Sequence, residues 1–327
     1  MIESHSRSHL RSCIAAAGRR VAVGAGLLLT VLGPSAGFAQ PAALPPQPLA
    51  LNDTGVVLAL NSVVYRDRSV PLLGPYGKHH KTTLIAVNNR GQVLLEQLAN
   101  GPHFFRYDPA HGDMRPIGLN AQVQEGGVVR SVRLGYLTGL DDSGRVFGVY
   151  GSGKGPCGAA GAPAYGAPGE INAPTQPAKF AFLGCPGRGL HIRAINSKGQ
   201  MTGDVNRQGF LWSNGALSLF RFPGAVMTQG VAINESGLIA GVIYVTNAIR
   251  ADGTVTSTFL RGVAPPQKGF TYDGSRFRLL FMQRWNPVWV TGVNNRGQIV
   301  GYSDPGEDHF KGFIIDSATL PVAHTVR

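Results

Sequence analysis

The sequence predicts an all-β fold, a β-propeller of about six blades, on three observations: its composition, a short unit that recurs along it, and apolar stretches flanking every copy. Of 327 residues, 45 are Gly and 22 Pro, while charged residues make up only 15%. That balance favours many short strands joined by tight turns over long helices. The recurring unit reads LNDTG at 51–55, VNNRG at 87–91, LDDSG at 140–144, INSKG at 195–199, INESG at 233–237 and VNNRG at 293–297. Successive copies lie 36 to 60 residues apart, about 48 on average, which suits a four-stranded blade.

Each copy has the chemistry of a hairpin turn. The short polar side chains of Asn52, Asn88, Asp141, Asn196, Asn234 and Asn294 can bond to backbone amides further along. Gly55, Gly91, Gly144, Gly199, Gly237 and Gly297, three residues later, can adopt positive φ without a Cβ clash. Apolar stretches precede the turns, as in LIAVN at 84–88 and VWVTGVN at 288–294. Others follow: QVLL at 92–95, RVFG at 145–148, QMTG at 200–203, LIAG at 238–241 and QIVG at 298–301, which predicts paired strands on either side. Gly148, Gly203, Gly241 and Gly301 mark places where a strand bends or packs closely against a neighbouring sheet.

A third strand is marked by aromatics: HFFRY at 103–107, KFAFL at 179–183, GFLW at 209–212, TFL at 258–260, GFTY at 269–272 and GFII at 312–315. These read as core strands. A fourth follows a polar turn in LSLFRF at 217–222 and FRLLF at 277–281. Trp212 belongs to the repeated core strand and reads as buried packing.

From Lys179 to Asp316 the order FAFL, AINSKGQMTG, GFLW, FPGAVMTQGVAINESGLIAG, GFTYDGSRFRLL, GVNNRGQIVG and KGFII resembles the HAF repeat family. Copies in that family read as an Asn-x-x-Gly turn, a Val-Val-Gly-like strand and a Gly-or-Ala-Phe-Leu-Trp-like strand. The first copy here has only VVLALNSVVY after its turn, and the third replaces Asn with Asp141. The resemblance implies an exported, extracellular repeat protein and is silent about chemistry.

The N-terminus agrees with export. Arg7, Arg11, Arg19 and Arg20 precede the apolar run VAVGAGLLLTVL, and Pro34, Gly37 and Ala39 follow it, so residues 1–39 read as a signal peptide. Twelve apolar residues are too few to cross a bilayer core of about 30 Å, so no transmembrane segment is expected after cleavage. Residues 40–50 form a Pro-rich leader, 51–320 the repeat domain and 321–327 a C-terminal tail. The Gly/Ala/Pro-rich stretch 151–177 breaks the rhythm and reads as a long surface loop. Cys157 and Cys185 remain once Cys13 leaves with the signal, and in an extracellular or periplasmic compartment they are expected to form a disulfide. That bridge would restrain the unfolded chain by about 3.5 kcal/mol in the chain-entropy model.

Motifs for chemistry are sparse. GVYGSGKG at 148–155 has the spacing of a phosphate loop up to Lys154, but Gly155 stands where Ser or Thr would bind magnesium, and Pro163 and Pro168 follow where a helix should begin. No His-Glu-x-x-His, Cys-x-x-Cys, calcium loop or nucleophile elbow occurs, so no cofactor, metal or catalytic set is assigned. The PYGKHHK stretch with His79 and His80 reads as an exposed polar turn. A propeller can gather carboxylates from distant blades, which keeps Glu96, Glu125, Asp141, Asp142 and Asp204 as candidates for a channel site. Arg284 and Trp285, before the turn-like Asn286-Pro287, are the candidate ligand contact.

The net charge is +12, and its basic residues are scattered rather than run together. That pattern points to an anionic polysaccharide or cell-envelope component as partner and away from nucleic acid. The expected function is an exported, non-enzymatic binding or surface-interaction module. The alternative is an exported hydrolase or lyase with its site in the channel.

Overall fold

The computed structural model describes residues 44, 47–60, 62–64, 69–72, 74–75, 79, 81–118, 120–125, 128–150, 162–166, 178–182, 190–245, 248–249, 255–256, 267–280, 288–303 and 310–323. The signal segment 1–39, Cys157, Cys185, the aromatic stretch 258–260, Arg284 and Trp285 lie outside them.

The chain is all-β, and five open sheets are arranged as blades of a β-propeller. β1 (Pro48–Leu51), β2 (Val57–Ala59), β3 (Ser62–Val64) and β4 (Ser69–Pro71) form the first, in chain order and antiparallel. β5 (Thr82–Val87), β6 (Val93–Leu98), β7 (Pro102–Asp108) and β8 (Asp113–Ile117) form the second in the same way. The next five strands behave differently: β9 (Asn120–Glu125), β10 (Val128–Leu140), β11 (Val146–Tyr150), β12 (Ala162–Gly166) and β13 (Ala178–Phe182) close on themselves. The open pattern then resumes with β14 (His191–Ile195), β15 (Met201–Val205), β16 (Gln208–Ser213) and β17 (Ala216–Phe220). β18 (Met227–Ile233) and β19 (Ile239–Tyr244) share a sheet with β22 (Gln267–Tyr272) and β23 (Phe277–Leu280). A small hairpin of β20 (Ala248–Ile249) and β21 (Val255–Thr256) is inserted within it. The last sheet has three strands, β24 (Val288–Val293), β25 (Gln298–Ser303) and β26 (Lys311–Asp316).

Three expectations are corrected here. About six blades were expected and, among the described residues, five open ones are found, because β10 is long enough, at 13 residues, to pair with β9 along its first half and β11 along its second. β13 then pairs parallel to β9 and closes the sheet. The stretch 151–177, expected to be a loop, contains β12, which pairs with β11 and satisfies the outer edge of that strand. The leader, expected to extend through residue 50, ends earlier, since Pro48–Ala50 belong to β1. Pro48 is the first residue of that strand, where a missing N–H costs no ladder bond.

Apolar layers lie between neighbouring sheets. Leu58, Val63, Leu84, Leu95 and Phe105 join the first two, and Phe147, Ile192, Met201 and Phe210 join β11 to the sheet of β14–β17. Phe220, Ile239, Phe270 and Leu279 fill the next interface, and Val242, Val290, Ile299 and Phe313 the one after. Leu51, Val57, Val64 and Val300 pack the last sheet against the first, each burial contributing about 1.5–3 kcal/mol. The inner strands touch in the order β1, β5, β10, β14, β18, β24 and back to β1. The ring therefore closes without a shared strand.

After β26 and a 3-10 turn at Ser317–Thr319, the chain returns to the preceding sheet. Leu279 N–H donates to the Pro321 carbonyl at 3.1 Å and Ala323 N–H to the Phe277 carbonyl at 2.9 Å. The first residues of the expected tail thereby cover the edge of β23.

Candidate functional site

The six recurrent turns encircle one end of a central cavity of about 670 Å³ lined by all six inner strands. In each turn the glycine adopts positive φ, between 76° and 90°, and its N–H donates to the carbonyl of the leading Asn or Asp. The leading side chain does more than the sequence revealed. Its Oδ1 accepts from the amides two and four residues on, as Asn196 does from Lys198 and Gln200 at 3.1 and 3.0 Å. Its Nδ2 reaches the next repeat: Asn52 donates to the Asn88 carbonyl, Asn88 to that of Asp141, Asn196 to that of Asn234, Asn234 to that of Asn294, and Asn294 back to that of Asn52, at 2.7–3.2 Å.

One link is missing. Asp141 has no Nδ2, and among the described residues no hydrogen bond joins it to Asn196. Its carboxylate instead accepts from Arg145 Nε at 2.7 Å. Burial pushes the Asp141 carboxyl up, but the bonds from Ser143 and Arg145 outweigh it and hold the group below its ordinary value.

A second circle of side chains lies outside the first. Asn89 Nδ2 donates to Asp53 and Asp142, Asn295 Nδ2 donates to Asp53, and Glu235 accepts from the N–H and hydroxyl of Ser197. The carboxylates Asp53, Asp142 and Glu235 are thus tied to their neighbours. This end of the cavity is a structural clasp.

The other end carries the chemistry, and a β-bulge puts it there. Every inner strand has a register shift that skips one residue: Leu49, Ile85, Thr138, Arg193, Val231 and Thr291. Each lies three residues before its turn's Asn or Asp and lines the cavity, so five of the six positions are apolar or hydroxyl-bearing and Arg193 is the charged exception. Beyond the bulge the cross-strand pairs include Thr83 with Glu96, Tyr136 with Val149, His191 with Asp204, Gln229 with Val242 and Trp289 with Tyr302.

Asp204 organises this end. It is 4% exposed, and its Oδ2 lies 3.1 Å from His191 Nδ1 while Oδ1 accepts from Arg193 Nε at 3.1 Å and Gln229 Nε2 at 2.7 Å. With Nδ1 facing the carboxylate, His191 Nε2 is directed away from Asp204. His191 and Arg193 keep 74% and 43% of their side chains exposed. Tyr136, from the preceding repeat, is 42% exposed, and its hydroxyl donates to the Ile192 carbonyl at 3.3 Å. Burial raises its phenol above the usual range while the nearby Arg193 charge pulls the other way.

Of the five carboxylates singled out in the sequence, Asp204 alone enters this cluster. Asp141 and Asp142 sit at the clasp, and Glu96 stands on β6 in a different sheet; the Glu125 side chain lies outside the described residues. His79 is exposed. Among the described residues no group of three or more His, Cys, Asp or Glu is placed to hold a metal ion, and no helix is long and apolar enough to cross a membrane. No protein-family model and no curated protein matches the chain.

Proposed function

We propose that this protein is an exported binding module that holds an anionic glycan or envelope component at the cavity end lined by Tyr136 and Arg193, with His191 at the start of β14. The observation that carries the proposal is the arginine at the bulge. Asp204 fixes its Nε, and the two Nη groups have no bond among the described residues, which leaves a planar donor pair suited to a carboxylate or sulfate. The overall charge of +12 adds a longer-range attraction. The test is titration with a uronate-rich polysaccharide at low and high salt. Affinity should fall with salt and drop about tenfold in Arg193→Ala, the loss of one charge-assisted contact. Salt-insensitive or absent binding to every acidic glycan tried would sink the proposal.

The same protein is read as a six-bladed member of the HAF repeat family, with the closed sheet β9–β13 as an altered third blade. Its Asp141 turn occupies a place in the clasp equivalent to the other five, which supports that count. Export through residues 1–39 and a Cys157–Cys185 disulfide belong to this proposal. A mass change on reduction and alkylation would reveal the bridge, and two freely alkylated thiols in the secreted protein would remove it.

The His191–Asp204 pair favours a second reading, a hydrolase or lyase, because a buried carboxylate orienting an exposed imidazole is an arrangement suited to general acid–base work. New reducing ends or unsaturated products from an acidic glycan, lost in His191→Ala, would support it. Unaltered glycans after prolonged incubation would leave binding alone.

A further inference from the structure

The fourth sheet carries a second feature on the face of the His191 cluster. β15 runs from the clasp past Asp204 to a two-residue hairpin tip, Asn206-Arg207, and the loop 221–226 returns beside it from β17. Together they line a depression of about 520 Å³.

The tip has an unusual residue for its geometry. Asn206 and Arg207 have φ of 47° and 66°, the left-handed pair of a type I′ turn, whose second position is normally glycine. Among the described residues the other such tip, Asn214-Gly215 between Ser213 and Ala216, follows that rule. At 207 the molecule departs from it, placing a long cation where the backbone disfavours any side chain. The backbone there is held: the Arg207 carbonyl accepts from Thr228 N–H at 3.0 Å. Across the depression Arg221 donates from Nε and Nη2 to the Ala225 carbonyl at 3.2 and 2.9 Å, which fixes the guanidinium plane. Both arginines are exposed.

The depression and the cavity mouth are joined through β18. Thr228 anchors Arg207, and the next residue, Gln229, donates to Asp204, the carboxylate that holds Arg193 and His191. We propose that Arg207 and Arg221 form a second anion subsite, and that one acidic polysaccharide chain spans both, from the cavity mouth outward across the fourth sheet. This deepens the binding function above and rests on it for the first subsite only.

The test compares a uronate polymer with a uronate disaccharide, using the purified protein, Arg207→Gly combined with Arg221→Gln, and Arg193→Ala. Replacing Arg207 by glycine would relax the turn and offset the bonds that Arg221→Gln takes from the Ala225 carbonyl. The double variant should therefore melt within about 5 °C of the parent. It should bind the polymer about tenfold more weakly and the disaccharide unchanged, whereas Arg193→Ala should weaken both. Unchanged polymer affinity in the double variant overturns the second subsite. Unchanged affinity for both ligands in Arg193→Ala, with the polymer weakened only in the double variant, overturns the cavity-mouth site and leaves the second standing.

Discussion

Asn234 accepts three hydrogen bonds on Oδ1, from Ser236 N–H, Ser236 Oγ and Leu238 N–H, and donates one from Nδ2 to the Asn294 carbonyl. Substitutions can separate the two roles. Asn234→Ala strands buried partners on both sides and should cost about 3 kcal/mol, whereas Asn234→Asp keeps the turn, loses the inter-repeat bond and should cost about 1 kcal/mol, read from urea midpoints. At the missing link, Asp141→Asn with Arg145→Gln recreates the Asn/Gln pair of Asn196 and Gln200, where Nδ2 donates to Oε1 at 2.7 Å. The added bond to Asn196 should raise stability at neutral pH by about 1 kcal/mol, seen as a higher Tm. The acid response should change as well. The folded Asp141 carboxyl lies below its ordinary value, so its contribution is complete above about pH 3.9 and is lost as the pH falls through the lower folded value. The double variant, lacking that group, should keep more of its stability across this range, as melts in a pH series would show. The turn residues were legible in the chain because Asn and Gly have local mechanical reasons to sit there. The Nδ2 bonds were not, since they join residues 36 to 242 positions apart.

The hairpin of β14 and β15 shows why the cluster stayed hidden. Counted outward from its turn without interruption, Ile192 would face Asp204 and His191 would face Val205. The bulge at Arg193 shifts the register by one, so His191 faces Asp204 instead, and a one-residue shift exchanges the faces of a strand. Gly203 belongs to the same device. A Cβ there would stand 1.8 Å from the His191 carbonyl and 2.9 Å from Phe210 Cε1, and Gly241 and Gly301 meet the carbonyls of Gln229 and Trp289 in the same manner. These glycines were expected to bend the strand or pack closely against a neighbouring sheet, and the close approach is instead to the bulged inner strand of their own sheet. Gly203→Ala should cost about 3 kcal/mol in chemical denaturation and displace His191. Binding by the surviving folded fraction should weaken with it.

At the scale of the molecule, repeat spacing and flanking apolar stretches foretold the sheets, including β17 and β23. They could not foretell the closed arrangement of β9–β13, whose parallel pairing of residues 121–124 with 178–181 is set by tertiary contact rather than local pattern. Closure is carried by β1: its Pro48 carbonyl accepts from Thr291 Oγ1 at 2.8 Å, and Leu51 packs with Val300. Deleting residues 40–51 should lower Tm by more than about 5 °C, about 2–3 kcal/mol of lost burial and bonding, and make native-state hydrogen exchange faster in β24 and β25 than in β6 and β7.

The carbonyl that receives Asn294 Nδ2 is supplied by Asn52, so the junction between the two ends is made by the same bond as every neighbouring junction except one. A circle joined in this way has no privileged first member. New termini could be cut between Phe182 and Leu190, after the closed sheet and before β14, where that bond is already absent, and the old ones fused, with the order of the units rotated and their geometry intact. The same rule lets a gene lengthen or shorten such a circle by whole units, because an incoming unit brings both the donor and the acceptor it needs.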